Sequence, residues 1–123
     1  MAAGNKQIIT FISRSAPYNS DAAFACLDMV LAFAVFDQNV NYLFRDDGVY
    51  QLLADQQGEA VQQKTLGAAL EALDLYGVKN VWVDGQSLKA RGLAEKDLCL
   101  PVQLIDAAAT ERLLSDSRQV FVL

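Results

Sequence analysis

Between Val40 and Leu53 the sequence VNYLFRDDGVYQLL changes period, and that change limits the possible folds more than any other feature. Val40, Tyr42 and Phe44 alternate with Asn41 and Leu43, and β-branched and aromatic residues at period two suit a buried strand. Asp46 and Asp47 can each accept from a free backbone N–H, Gly48 relaxes the chain, and Val49, Leu52 and Leu53 then recur at helical spacing, with Asp47 the expected N-cap. A strand that turns into a helix within a few residues belongs to an α/β sheet, where ligands gather at the carboxyl ends of the strands.

The remaining segments fit that pattern. Gln7 to Ser13 reads as a first strand after a polar tail, residues 1–6, expected to be mobile. Ser20 can cap a helix from Asp21 to about Phe36. Thr65 can cap another helix carrying Leu66, Ala69, Leu70 and Leu73, closed by Gly77 in a left-handed conformation. Val78 to Val83 is a third strand, with Val81 and Val83 on one face and Trp82 on the other. A short helix from Ser87 to Arg91 stops at Gly92. Pro101 to Ile105 is a fourth strand, near an edge because proline gives no ladder N–H. Asp106 caps an Ala-rich helix, and Gln119 to Leu123 supplies the fifth strand. Strand and helix alternate throughout 1–123 without a repeat, which predicts a single domain with a mostly parallel sheet and helices on both faces.

The first helix is unusual, since Asp28 is the only charged residue from Ala22 to Phe36. A helix apolar nearly all round must be covered on more than one side. A membrane span needs about 20 apolar residues, and this run is shorter with a central carboxylate. A secretory leader would end in small residues, whereas Phe33, Val35 and Phe36 close this run. The expectation is therefore a helix between its own sheet and another subunit, with Phe24, Met29, Leu31, Phe33 and Phe36 as interface candidates. An apolar content of 53% with 20% charged residues agrees with surface destined for a partner.

A net charge of -5 and scattered lysines and arginines argue against direct nucleic-acid contact. Histidine is absent, which removes His-based triads and Cys/His zinc sites. Cys26 and Cys99 are far apart and show no C-x-x-C spacing, so a reducing cytoplasm is expected. Neither sits where a thiolate would be supported: Cys26 lies inside the apolar helix and Cys99 between two leucines.

Three loops leave strand ends at the presumed ligand edge: Arg14 to Tyr18, Arg45 to Gly48, and Asp84 to Ser87, which includes Gln86. Asp46, Asp47 and Asp84 could form a Mg²⁺ site for phosphoryl transfer, yet a receiver-type site needs its acidic pair after the first strand, where this chain has Ser13 and Arg14. A flavin-phosphate site at the first helix is weakened by Pro17 and the lack of glycine. Structural roles serve the aspartates at least as well: Asp46 paired with Arg45 or Arg14, Asp84 closing a turn. No metal and no cofactor is expected.

The loop SRSAPY, the segment DDGVYQLL, the bend LDLYGV and the run WVDGQSLKARGL occur in an order that resembles the TusC/DsrF family of DsrE-like sulfur-relay proteins. The resemblance implies a three-layer α/β/α domain with a five-stranded parallel sheet, flavodoxin-like in its layering. It implies one of three related subunits in a heterohexamer with TusB/DsrH-like and TusD/DsrE-like partners. Such complexes pass persulfide sulfur toward 2-thiouridine in tRNA, or serve sulfur oxidation. In the carrier subunit the essential cysteine stands eight residues before the glycine ending the short helix; counting back from Gly92 reaches Asp84. A carboxylate cannot carry a persulfide, so this member is expected to be a non-catalytic partner whose silent pocket is lined by Arg14, Tyr18, Asp46, Asp47, Asp84 and Gln86. Alone, it is expected to self-associate.

Overall fold

The structure, a computed structural model, describes residues 8–16, 21–36, 38–53 and 68–123. Five strands, β1 (Ile8–Ser13), β2 (Asn39–Phe44), β3 (Asn80–Asp84), β4 (Gln103–Ile105) and β5 (Gln119–Val122), form one sheet in the order β4-β3-β2-β1-β5. Every pairing is parallel. Helices α1 (Ala22–Val35), α2 (residues 68–71), α3 (Gly85–Ala90) and α4 (Ala107–Ser115) lie between strands, as parallel connections require.

The helices are unevenly shared between the two faces. Ile9, Phe11, Val40, Tyr42, Phe44, Val81 and Val83 point to one side, where they meet Ala23, Cys26, Leu27 and Val30 of α1, Leu70 of α2 and Leu88 of α3. The opposite side carries Ile12, Leu43, Trp82 and Ile105, packed under Ala109, Leu113 and Leu114 of α4. Period-two alternation in each strand produces this division. The strand order explains the imbalance: three successive crossovers move the same way across the sheet, and only the last one, through α4, reverses.

Proline before β4 and its edge position agree with the sequence expectation, as does Gly77 with a φ of +87° after the 3₁₀ turn Leu73–Tyr76. Asp106 caps α4 by accepting from the Ala109 N–H at 2.8 Å. Two local expectations need correction. The segment after β2 is a 3₁₀ helix, Asp46–Leu52, with Arg45 at its N-cap, and the Asp47 side chain does not cap it. Gly48 is pressed closely onto the backbone of Ser13 and Arg14 at the end of β1, and the Gly48 N–H bonds back to the Arg45 carbonyl at 2.9 Å. The short helix starts at Gly85 rather than Ser87, because Asp84 caps it. Ser20 and Thr65, expected as caps, and the tail 1–6 lie outside the described residues.

Helix α1 buries Ala23, Cys26, Leu27 and Val30. Phe24, Met29, Leu31 and Phe33 are half-buried against the same core, and Phe33 lies 5.5 Å from the Phe11 ring. Phe36, following the helix, is 76% exposed, and Val35 is 69% exposed. The 3₁₀ turn that packs beside α1 adds Leu75 and Tyr76 to the exposed apolar surface, at 85% and 51%. These four residues precede β2 and β3 and so gather at the amino-terminal edge of the sheet, away from the loops after the strands. No helix among the described residues is long and apolar enough to cross a membrane.

Candidate functional site

Parallel register brings the three loops to one edge. Ser13 pairs with Phe44 and Phe44 with Val83, so Arg14, Arg45 and Asp84 follow on adjacent strands. Asp46 adopts a left-handed φ of +52°, a conformation aspartate tolerates better than most residues. Its carboxylate accepts from Arg14 Nε at 2.8 Å, and its backbone N–H donates to Ser87 Oγ at 2.9 Å. Ser87 Oγ in turn donates to Asp84 Oδ2 at 2.6 Å, and the Ser87 N–H donates to the same oxygen at 3.2 Å. Arg91 reaches back to Asp47 through Nε and Nη2, at 3.1 and 2.9 Å, and donates from Nη1 to the Ser87 carbonyl.

Buried Ser87 thus ties the ends of β2 and β3 together. Gln51, also buried, ties in β1: its Nε2 donates to Ser13 Oγ and to the Ser15 carbonyl, both at 2.8 Å. Neither residue stood out in the sequence, since a serine in a short helix and a glutamine between apolar residues give no signal of burial. Each joins segments distant in the chain.

Arg14, Asp46, Asp47 and Asp84 do share this edge, but the three aspartates take three different partners, Arg14, Arg91 and Ser87. Among the described residues no three acidic or thiol groups converge to hold a metal ion. On the α4 side of the edge lies a cleft of about 300 Å³ lined by Leu43, Arg45, Asp84, Gln86, Ala107, Thr110, Glu111 and Leu114. Asp84 and Gln86 are therefore cleft residues, whereas Arg14, Asp46 and Asp47 lie outside its lining. Tyr18 lies outside the described residues.

Both thiols are free. Burial pushes Cys26 up from about 9.0 to about 11, and the neighbouring Ser13 and Tyr42 side chains offset it in part. Burial, with the nearby charge of Glu71, likewise raises Cys99 to about 11, and Tyr42 rises well above its usual value mainly through burial. A thiol with a raised folded-state pKa adds its full stabilisation below the unfolded value and loses it as pH climbs through the folded value. The urea midpoint should therefore fall between about pH 9 and pH 11. Cys26→Ala should make that fall shallower, and an unchanged slope would refute the burial account.

The fold and edge define a class: a parallel α/β domain with loops gathered at the carboxyl ends of its strands and no cysteine among the described residues of those loops. The DsrE/DsrF-like family model matches residues 7–123, and the chain belongs to that family. Protein TusC homolog from Pseudomonas aeruginosa is 42% identical over 117 residues, covering 95% of this chain and 98% of that protein. Intracellular sulfur oxidation protein DsrF from Allochromatium vinosum is 36% identical over 125 residues, covering 90% and 92%. The crystal structure of ychN protein from E. coli superposes with a TM-score of 0.79 at 21% identity, covering 95% of this chain and 99% of that one, a likeness of fold. The expected α/β architecture and family are thereby established, and the chain is a sulfur-relay family member.

Proposed function

We propose that this chain is the non-catalytic subunit of a cytoplasmic sulfurtransferase complex, without a sulfur-carrying cysteine of its own, in which a TusD/DsrE-like partner carries the persulfide and a TusB/DsrH-like partner completes a heterohexamer. The observation that carries this reading is Asp84. It stands where, by the family resemblance, a carrier subunit holds its cysteine, and its carboxylate is engaged in capping α3 through Ser87. Oxygen at that position forms no S–S bond, and its negative charge would repel a thiolate. Cys26 and Cys99, both held protonated far above neutral pH, are poor substitutes. The exposed Val35, Phe36, Leu75 and Tyr76 supply apolar contact area suited to assembly. The product pathway we favour is 2-thiouridine formation at the tRNA wobble position, with the complex rather than this acidic chain meeting the RNA.

A second reading, a role in sulfur oxidation, draws on the likeness to the Allochromatium protein. Restoring tRNA 2-thiolation in a strain lacking its TusC-type subunit separates the two. For the non-catalytic role itself, the folded chain is treated with a persulfide donor and analysed by mass spectrometry. Cys26 and Cys99 should remain unmodified, and a fast, stable adduct on either would overturn the reading. Co-expressed with the two partner types, the chain should enter a defined complex, and Phe36→Asp should reduce its incorporation. By itself it should form homo-oligomers or aggregate.

A further inference from the structure

We propose that the cleft between the ends of β2 and β3 and helix α4 binds a small α-amino acid as its zwitterion. Arg45 and Asp84 follow the paired residues Phe44 and Val83, on strands about 4.8 Å apart. Opposite charges so placed would ordinarily pair. Here they do not: Ser87 draws the Asp84 carboxylate toward α3, and Arg45 Nε stands 4.0 Å from Asp46 Oδ2. That Nε is buried and has no hydrogen-bond partner among the described residues, while the rest of the Arg45 side chain is partly exposed.

The separation leaves a cleft of about 300 Å³ with Arg45 and Asp84 in its lining, and Glu111 and Thr110 facing them from α4. An inorganic anion would meet Arg45 but also two carboxylates, and a simple amine would meet those carboxylates but also Arg45. A molecule carrying an ammonium and a carboxylate on one carbon satisfies both. Ala107 and Leu114 leave an apolar surface for a short side chain, and the volume is at the lower end of the usual range for ligand sites. This inference rests on the charges of the cleft and stands whether or not the chain lacks a sulfur-carrying role.

The test titrates the full chain, in whatever assembly it purifies, with L-alanine, propionate and ethylamine while following the amide resonances of Gln86, Thr110 and Glu111. L-Alanine should shift them saturably and bind at least about tenfold tighter than either half-molecule, the scale of one charge-assisted hydrogen bond. Glu111→Gln, an exposed change that leaves the core alone, should weaken binding by about tenfold, and Arg45→Gln by as much or more. Absence of saturable shifts with L-alanine would overturn the proposal. So would equal binding of propionate or ethylamine, or two folded variants that bind like the parent. None of these outcomes alters the persulfide-labelling result, so the two readings fail separately.

Discussion

Gly48→Ala is expected to destabilise the fold by about 3 kcal/mol or more, the upper end of overpacking costs. A Cβ at this position would stand 2.0 Å from the Ser13 carbonyl oxygen and 2.8 Å from its carbon. Both are backbone atoms of the interior strand β1, so no side-chain rotation can relieve the clash, and β1 or the 46–52 segment must move. Such a shift would also break the Gln51 bonds to Ser13 and Ser15 that fasten the first loop. A urea midpoint within error of the parent would show that the two segments do not touch as described. Gly92→Ala is the useful comparison: its φ of +69° makes alanine strained, but nothing lies within 4 Å, so its smaller cost isolates backbone conformation from the collision.

The second large effect concerns reactivity. Asp84→Cys should create a thiol that iodoacetamide labels at pH 7 at least about a hundredfold faster than Cys26 or Cys99. An ordinary thiol with a pKa near 8.5 is a few per cent thiolate at that pH, whereas one raised to about 11 is ionised to only about one part in ten thousand. Loss of the Asp84 cap on α3 should cost about 1 kcal/mol, which leaves the chain folded for the measurement. Mixed with a persulfide donor, the variant should also acquire sulfur at position 84 alone. If the new thiol reacts no faster than the two native ones, position 84 is not the accessible counterpart of a carrier site.

Features written into neighbouring residues were legible in the sequence. The alternation of Val40, Tyr42 and Phe44, the left-handed Gly77, the Pro101 signal of an edge and the Asp106 cap each depend on a few adjacent positions, and the structure repeats them. What escaped detection depends on residues brought together from far along the chain. Asp47 looked like a cap by spacing, but Arg91 reaches it across the fold. The 46–52 segment carries helical spacing, yet the contact of Gly48 with β1 accompanies a tighter helix. The shared edge of Arg14, Asp46, Asp47 and Asp84 followed from strand alternation alone. The cleft did not, because its α4 wall depends on the direction of the last crossover, which no local pattern records.

That last crossover also affects how the chain is made. Strand β1 sits between β2 and β5, with Ile9 paired to Gln119 and the Arg14 N–H bonded to the Leu123 carbonyl. During synthesis one side of β1 must therefore stay unzipped until β5 has cleared the ribosome, exposing Phe11 before Phe121 can stack on it at 5.2 Å. An open apolar edge of this kind invites wrong pairing. Deleting β5 should leave the nascent protein in that sticky state and direct it toward chaperones or inclusion bodies.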